Sequence, residues 1–110
     1  MAPLVSKLYD EGYIKAAVHN QADVFAAAQI FAKTEGIIPA PERAHAIKEV
    51  FVQAEKCKLS GEKKTILFNL SGHGLLDLGA YDDYLNDKLV SNHCSNEEIA
   101  HSLAEIPEIV

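Results

Sequence analysis

The 110-residue chain contains no tryptophan, and it has only two cysteines, four prolines and six glycines. Cys57 and Cys94 are isolated and show no CxxC spacing, so a reduced, cytoplasmic setting is expected, with a single disulfide between them as the disfavoured alternative. Positive charge is scarce. Ten Lys and Arg against sixteen Asp and Glu leave a formal net charge of −6, which argues against nucleic acid and anionic membranes as partners. No apolar run approaches the roughly 20 residues of a membrane span. The N-terminal Met1-Ala2-Pro3-Leu4 lacks the basic and apolar regions of a signal peptide. No repeat, low-complexity tract or linker divides the chain, so a single domain over 1–110 is expected.

What remains is an ordinary globular composition, 48% hydrophobic, with clear local punctuation. Pro3 suits the first position of a short helix carrying Leu4, Val5, Leu8 and Tyr9, closed by Gly12. Asn20 reads as an N-cap, and Val24, Ala28, Phe31 and Ala32 recur at helical spacing, giving a helix over 21–35 that stops at Gly36. Pro41 opens a second helix with Ile47, Val50, Phe51 and Ala54 as its stripe and Gly61 as its end. A short helix is expected around Gly79 to Leu85. Ser95 with Glu98 forms a capping box for a last helix over about 96–104. Between these lie two apolar runs, YIKAAV (13–18) and TILFNL (65–70). The second is continuously apolar, as in a strand covered on both faces of a parallel sheet. The expected fold class is therefore α/β, a partial parallel sheet flanked by helices. Two strands make a poor sheet alone, so an assembly that completes it is expected.

Two stretches could carry chemistry. In NLSGHG (69–74), Ser71 ends the apolar run, and Gly72 and Gly74 leave room beside the backbone for a flat ligand or a phosphate. The plainer alternative is a tight strand-to-helix turn with Ser71 bonding its own backbone. In EGIIPAPERAHA (35–46), Glu42 falls in a first helical turn, where an acid also simply complements the helix dipole. His45 follows one turn later, where a capping or core role is commoner than a catalytic one. His19, His93 and His101 are scattered, and no His, Cys or acid cluster has metal-ligand spacing. No nucleophile triad, P-loop or complete GxGxxG is present.

Together, EGIIPAPERAHAI and ILFNLSGHGLLDLGAYDDYL resemble the C-terminal region of tryptophan synthase β chains. PAPE, SGHG and MAPLVSKLYDEGYIKA point to the second, longer type. The resemblance runs from Met1 to about Leu89. It implies a three-layer, Rossmann-like half of the family's pyridoxal phosphate (PLP) fold, fold type II. It implies that Ser71 meets the cofactor's pyridine nitrogen, leaving the ring neutral as suits β-replacement of serine with indole. It places Glu42 near the cofactor's 3-hydroxyl side, and Gly72 and Gly74 against the ring. His73 stands where the commoner β chains carry arginine. The family's Schiff-base lysine, in an HKxN motif, and its GGGSN phosphate loop have no counterpart here; none of the nine lysines has that context. With Met1 matching an internal position, the sequence reads as the last quarter of such an enzyme.

The resulting expectation is a tryptophan synthase β-like fragment that supplies the pyridine side of a PLP site in tryptophan biosynthesis. It carries no catalytic residue set of its own, binds PLP weakly or not at all, and self-associates as a dimer or joins a chain carrying the missing portion. The alternatives are a free-standing, self-associating remnant and a small-ligand module without catalysis.

Overall fold

The structure, a computed structural model, describes residues 2–89 and 95–104. Among these residues five α-helices follow one another: α1 (Pro3–Asp10), α2 (Gln21–Glu35), α3 (Ala44–Ser60), α4 (Leu78–Leu85) and α5 (Asn96–Ala104). A single 3-10 turn, Gly74–Leu76, precedes α4.

Local chemistry accounts for the ends. The Asn20 side chain accepts from the Asp23 amide at 2.9 Å and so covers a donor the first turn of α2 would leave open. Gly36 and Gly61 close α2 and α3 in the left-handed conformation, with φ of 70° and 72°, a region that costs a side-chain-bearing residue about 1 kcal/mol or more. At α5 the capping box is reciprocal: the Ser95 amide donates to Glu98 Oε2 at 2.8 Å and the Glu98 amide to Ser95 Oγ at 3.2 Å. The helix expected to open at Pro41 opens instead at Ala44, after a turn over 41–43.

The expected partial parallel sheet is not formed. Among the described residues there is no strand, and the fold is helical. Residues 13–18 leave Val18 93% and Tyr13 76% exposed. Residues 65–70 are covered on one side only. Ile66, Phe68 and Leu70 are half-buried, while Thr65, Leu67 and Asn69 are exposed, Leu67 to 94%. That period-two alternation is the signature of an extended chain. A strand also needs a hydrogen-bonded neighbour, and the two runs do not supply one to each other: among the described residues no backbone group of 63–71 pairs with another backbone group. Apolar sequence creates the appetite for burial, but pairing decides whether a strand exists.

The core is correspondingly small. α2 packs on α3 and touches α4, and Val24, Ala28 and Ala44 meet there with Tyr81 against them. Phe25 joins through ring contacts, edge-on to Tyr81 at 5.2 Å and stacked on Tyr84 at 5.3 Å between centroids. Phe68 is tied in edge-on to Phe31 at 6.2 Å. The radius of gyration is 16.9 Å, above the roughly 13 Å of a compact chain of this length.

The tightest point lies where Gly74 crosses the Ile38–Pro39 segment. The Gly74 amide donates to the Ile38 carbonyl at 2.8 Å, and a Cβ at Gly74 would stand 2.6 Å from both Ile38 Cγ2 and the Pro39 carbonyl oxygen. Gly74→Ala is therefore expected to destabilise the fold by about 1–3 kcal/mol, the usual cost of overpacking. Gly72, at φ 71°, has open space and only Ala40 Cβ nearby, at 3.9 Å, so Gly72→Ala should cost backbone strain alone, about 1 kcal/mol. Urea unfolding of both variants checks this order; equal midpoints would refute the steric account.

Candidate functional site

The Gly74 crossing brings the turn after 65–70 against the loop before α3. Two clefts open along that seam. The larger, about 730 Å3, runs between α3 and residues 66–71 and is lined by Glu42, Arg43, His45, Glu49, Gln53, Asn69 and Ser71 among others. The smaller, about 280 Å3, is lined by Ala40, Glu42, Arg43, Ser71, Gly72, His73, Leu76 and Asp77. Glu42 and Ser71 thus share both clefts, although 29 positions separate them in sequence (71 − 42).

Ser71 is exposed at the rim, and its hydroxyl has no hydrogen-bond partner among the described residues, so it is not consumed in tying off the turn. Glu42 is exposed beside it, in the turn ahead of α3 rather than in a helical first turn. Gly72 lies on the smaller cleft with a positive φ. The His73 ring Nδ1 accepts from the Leu75 amide at 3.3 Å, capping the 3-10 turn. Gly74 is buried, and its close neighbours are Ile38, Pro39 and Tyr81 of the chain itself. His45 lines the larger cleft and is exposed. His93 and Cys94 lie outside the described residues; Cys57 is half-buried with a free thiol.

Two features escaped the sequence reading. The first is Tyr81, whose hydroxyl donates to the Pro39 carbonyl. Its phenol is held above its usual value of 10.0 by burial, then by the charges of Asp77 and Glu42, so it stays a donor and clamps the Glu42 loop from below. An aromatic one turn into the helix that follows the glycine loop was the available signal. The second is a polar chain on α3: His19 Nε2 donates to Glu49 Oε2 at 2.8 Å, and Gln53 Nε2 to Glu49 Oε1. His19 is only 14% exposed. The pair anchors the 13–19 segment to α3, between the larger groove and a third cleft of about 520 Å3 that Lys15, His19, Glu49 and Lys56 line. The i, i+4 spacing of Glu49 and Gln53 was legible; the 30-residue reach to His19 was not.

Among the described residues no three His, Cys, Asp or Glu side chains are placed to hold a metal ion, and no helix is long and apolar enough to cross a membrane.

These features define a class: a small helical unit that presents one polar-rimmed wall of a groove. No family model matches the chain. Curated relatives do. Over 88 residues, 80% of the chain, it is 62% identical to the tryptophan synthase beta chain 2 of Aquifex aeolicus, of which it covers 20%. It is 58% identical over 89 residues to the tryptophan synthase beta chain of Thermococcus gammatolerans, covering 81% of this chain and 20% of that one. Against the tryptophan synthase beta chain of Pyrococcus horikoshii the identity is 54% over 89 residues, with 81% and 19% covered. Over four-fifths of its length the chain is a homologue of the tryptophan synthase β chains, in keeping with a C-terminal portion of them, and it spans about one fifth of their length.

Glu49 generates a pH prediction. The Gln53 hydrogen bond foremost, against some desolvation, and then His19 and Lys56, hold its carboxyl below 4.5. A carboxyl lowered in the folded state stabilises above its unfolded value, and that contribution fades as pH falls through the folded one. An NMR titration should therefore place Glu49 below 4.5, and Gln53→Ala should move it upward. A Glu49 midpoint at or above 4.5 in the parent chain would refute the network.

Proposed function

We propose that this chain supplies the pyridine side of a PLP site for β-replacement of serine with indole, working with a polypeptide equivalent to the rest of a tryptophan synthase β chain, and that alone it is inactive. The observation that carries the reading is the meeting of Glu42 and Ser71 on one groove, together with 62% identity to a relative that bears the name.

The residues fit one edge of the cofactor. Ser71 offers a free hydroxyl to accept or donate at a ring nitrogen, and Gly72 keeps the rim open beside it. A hydroxyl, unlike a carboxylate, does not hold that nitrogen protonated. Glu42 contributes negative charge on the same rim. When bound, PLP supplies an electron sink for breaking and remaking the bond at the substrate's β carbon. This chain's part is to bind and orient the ring edge. Among the described residues no lysine lines either cleft, and Arg43 is the one cation on both. Without a covalent anchor or a built phosphate site, affinity for PLP rests on a solvated rim and is weak. Self-association as a dimer belongs to the same reading. The small core leaves Leu59, Leu67 and Leu76 each 88% or more exposed, and covering such surface returns roughly 25 cal/mol per Å2.

The pure chain with PLP, serine and indole should form no tryptophan by chromatographic assay. Mixed with the Aquifex aeolicus relative truncated to remove the matched 88 residues, it should restore tryptophan formation, and Ser71→Ala should abolish that. A complex that assembles yet stays inactive, or turnover by the chain alone, would overturn the proposal.

A further inference from the structure

We propose that His73 is a positioning residue for Ser71: the neutral ring, with its Nδ1 taking the Leu75 amide, holds the loop between Ser71 and the Gly74 crossing in one shape, and a proton on that nitrogen releases it. The inference deepens the reading in which Ser71 meets the ligand, but its first test needs no ligand.

One hydrogen bond fixes the chemistry of the ring. A backbone amide can only donate, so the Leu75 N–H at 3.3 Å makes His73 Nδ1 an acceptor. A neutral imidazole has one donor nitrogen and one acceptor, which leaves the ring proton on Nε2. A charged imidazole has two donors and no acceptor, and its Nδ1–H would stand against the amide's own proton. The cap therefore exists in one protonation state and one tautomer. His73 Nε2 has no hydrogen-bond partner among the described residues, and the exposed ring lies on the smaller cleft with Ser71 and Gly72.

The cap governs the path of the chain to Ser71. Gly74 is pinned by its amide on the Ile38 carbonyl at 2.8 Å, and the Asp77 amide on the Gly74 carbonyl at 3.0 Å closes the turn behind it. Only Gly72 and His73 lie between this fixed point and Ser71. Gly72, at φ 71°, meets nothing nearer than Ala40 Cβ at 3.9 Å, so packing does not hold it. His73 is held: its backbone is extended, with φ −149° and ψ 158°, and its side chain folds forward onto the amide two residues on, as an N-cap does. Ser71 thus reaches the rim through one tied residue, and the tie lasts only while the ring is neutral.

The charged groups on this cleft are Glu42 and Arg43, from the turn ahead of α3, and Asp77, from the turn into α4. Tyr81 of α4 approaches from behind Gly74. Two carboxylates against one guanidinium do not repel a cationic ring, so the Leu75 amide is the group that tells the two forms apart. Histidine is the side chain that changes charge between about pH 5 and pH 8. The loop is accordingly held on the alkaline side of that change and freed on the acid side.

Two substitutions separate the roles. His73→Asn keeps an acceptor for the amide at every pH, whereas His73→Arg offers donors alone. In the 15N-labelled full chain, imidazole correlations at about pH 8 should show His73 as the Nε2–H tautomer. Exchange of the Leu75 amide with water, corrected for its intrinsic rate, should be slower there than in His73→Arg by about two- to tenfold, the span of one ordinary hydrogen bond. That protection should vanish in the parent at the pH where the same spectra show the ring charged, and should persist in His73→Asn. An Nδ1–H tautomer, protection equal in parent and His73→Arg, or protection that survives charging of the ring would overturn the proposal. In the complex with the truncated Aquifex aeolicus relative, kcat should fall towards acid pH more steeply in the parent than in His73→Asn, and His73→Arg should be slow throughout. An active complex with one pH profile for all three would overturn the positioning role and leave the function standing. An inactive complex would overturn the function, and the amide measurements would still decide the cap.

Discussion

The close crossing of Gly74 over Ile38 and Pro39 holds the structure's two halves together. α2 and α3 make one packed pair, and the segment from Glu62 through α4 is attached to it. Among the described residues the backbone attachment is one amide-to-carbonyl bond, Gly74 to Ile38, reinforced by the Tyr81 hydroxyl on the neighbouring Pro39 carbonyl and by the rings of Phe68, Tyr81 and Tyr84 against Phe31 and Phe25. Only glycine allows the backbones that close. Tyr81 meets Val24, Ala28 and Ala44 with the same ring, so the clamp and the core share a residue. Both walls of the seam, the Glu42 loop and the Ser71 turn, are positioned by this crossing.

What the sequence made legible was whatever is decided within a few residues. Asn20, Gly36, Gly61 and the Ser95–Glu98 box mark helix ends because capping is a local exchange of hydrogen bonds. Residues 13–18 and 65–70 were misjudged for the opposite reason. Val, Ile, Leu and Phe in sequence measure a wish for burial, but a ladder needs a neighbour at a distance, and the neighbour is not among the described residues. The exposed side of Leu67 shows directly that cover on both faces was not achieved. Pro41 was read as a helix start by the same local logic; the turn at 41–43 instead carries Glu42 to the rim.

The candidate site was legible by a different route. Nothing in local spacing joins Glu42 to Ser71; the family resemblance did, and the geometry sets them on a common groove. The ties made by Tyr81 and His19 were not legible because their partners, Pro39 and Glu49, lie 42 and 30 positions away. Both are polar ties between segments, which periodicity does not report. They serve the scaffold of the groove: one fixes the loop that bears Glu42, and the other fixes the segment on the far side of α3.

The clamp also makes the chain self-reporting in light. With no tryptophan, the long-wavelength part of its near-ultraviolet spectrum belongs to four tyrosines. Tyr9 and Tyr13 lie exposed at the N-terminal end, at 58% and 76%, free to rotate and nearly silent in circular dichroism. Tyr81 and Tyr84 are half-buried and held against Phe25, edge-on and stacked, so the chiral signal near 275–280 nm arises from the seam itself. Whatever loosens the Gly74 crossing, where Tyr81 is bonded to Pro39, is thereby written into the molecule's own circular dichroism, with no label attached.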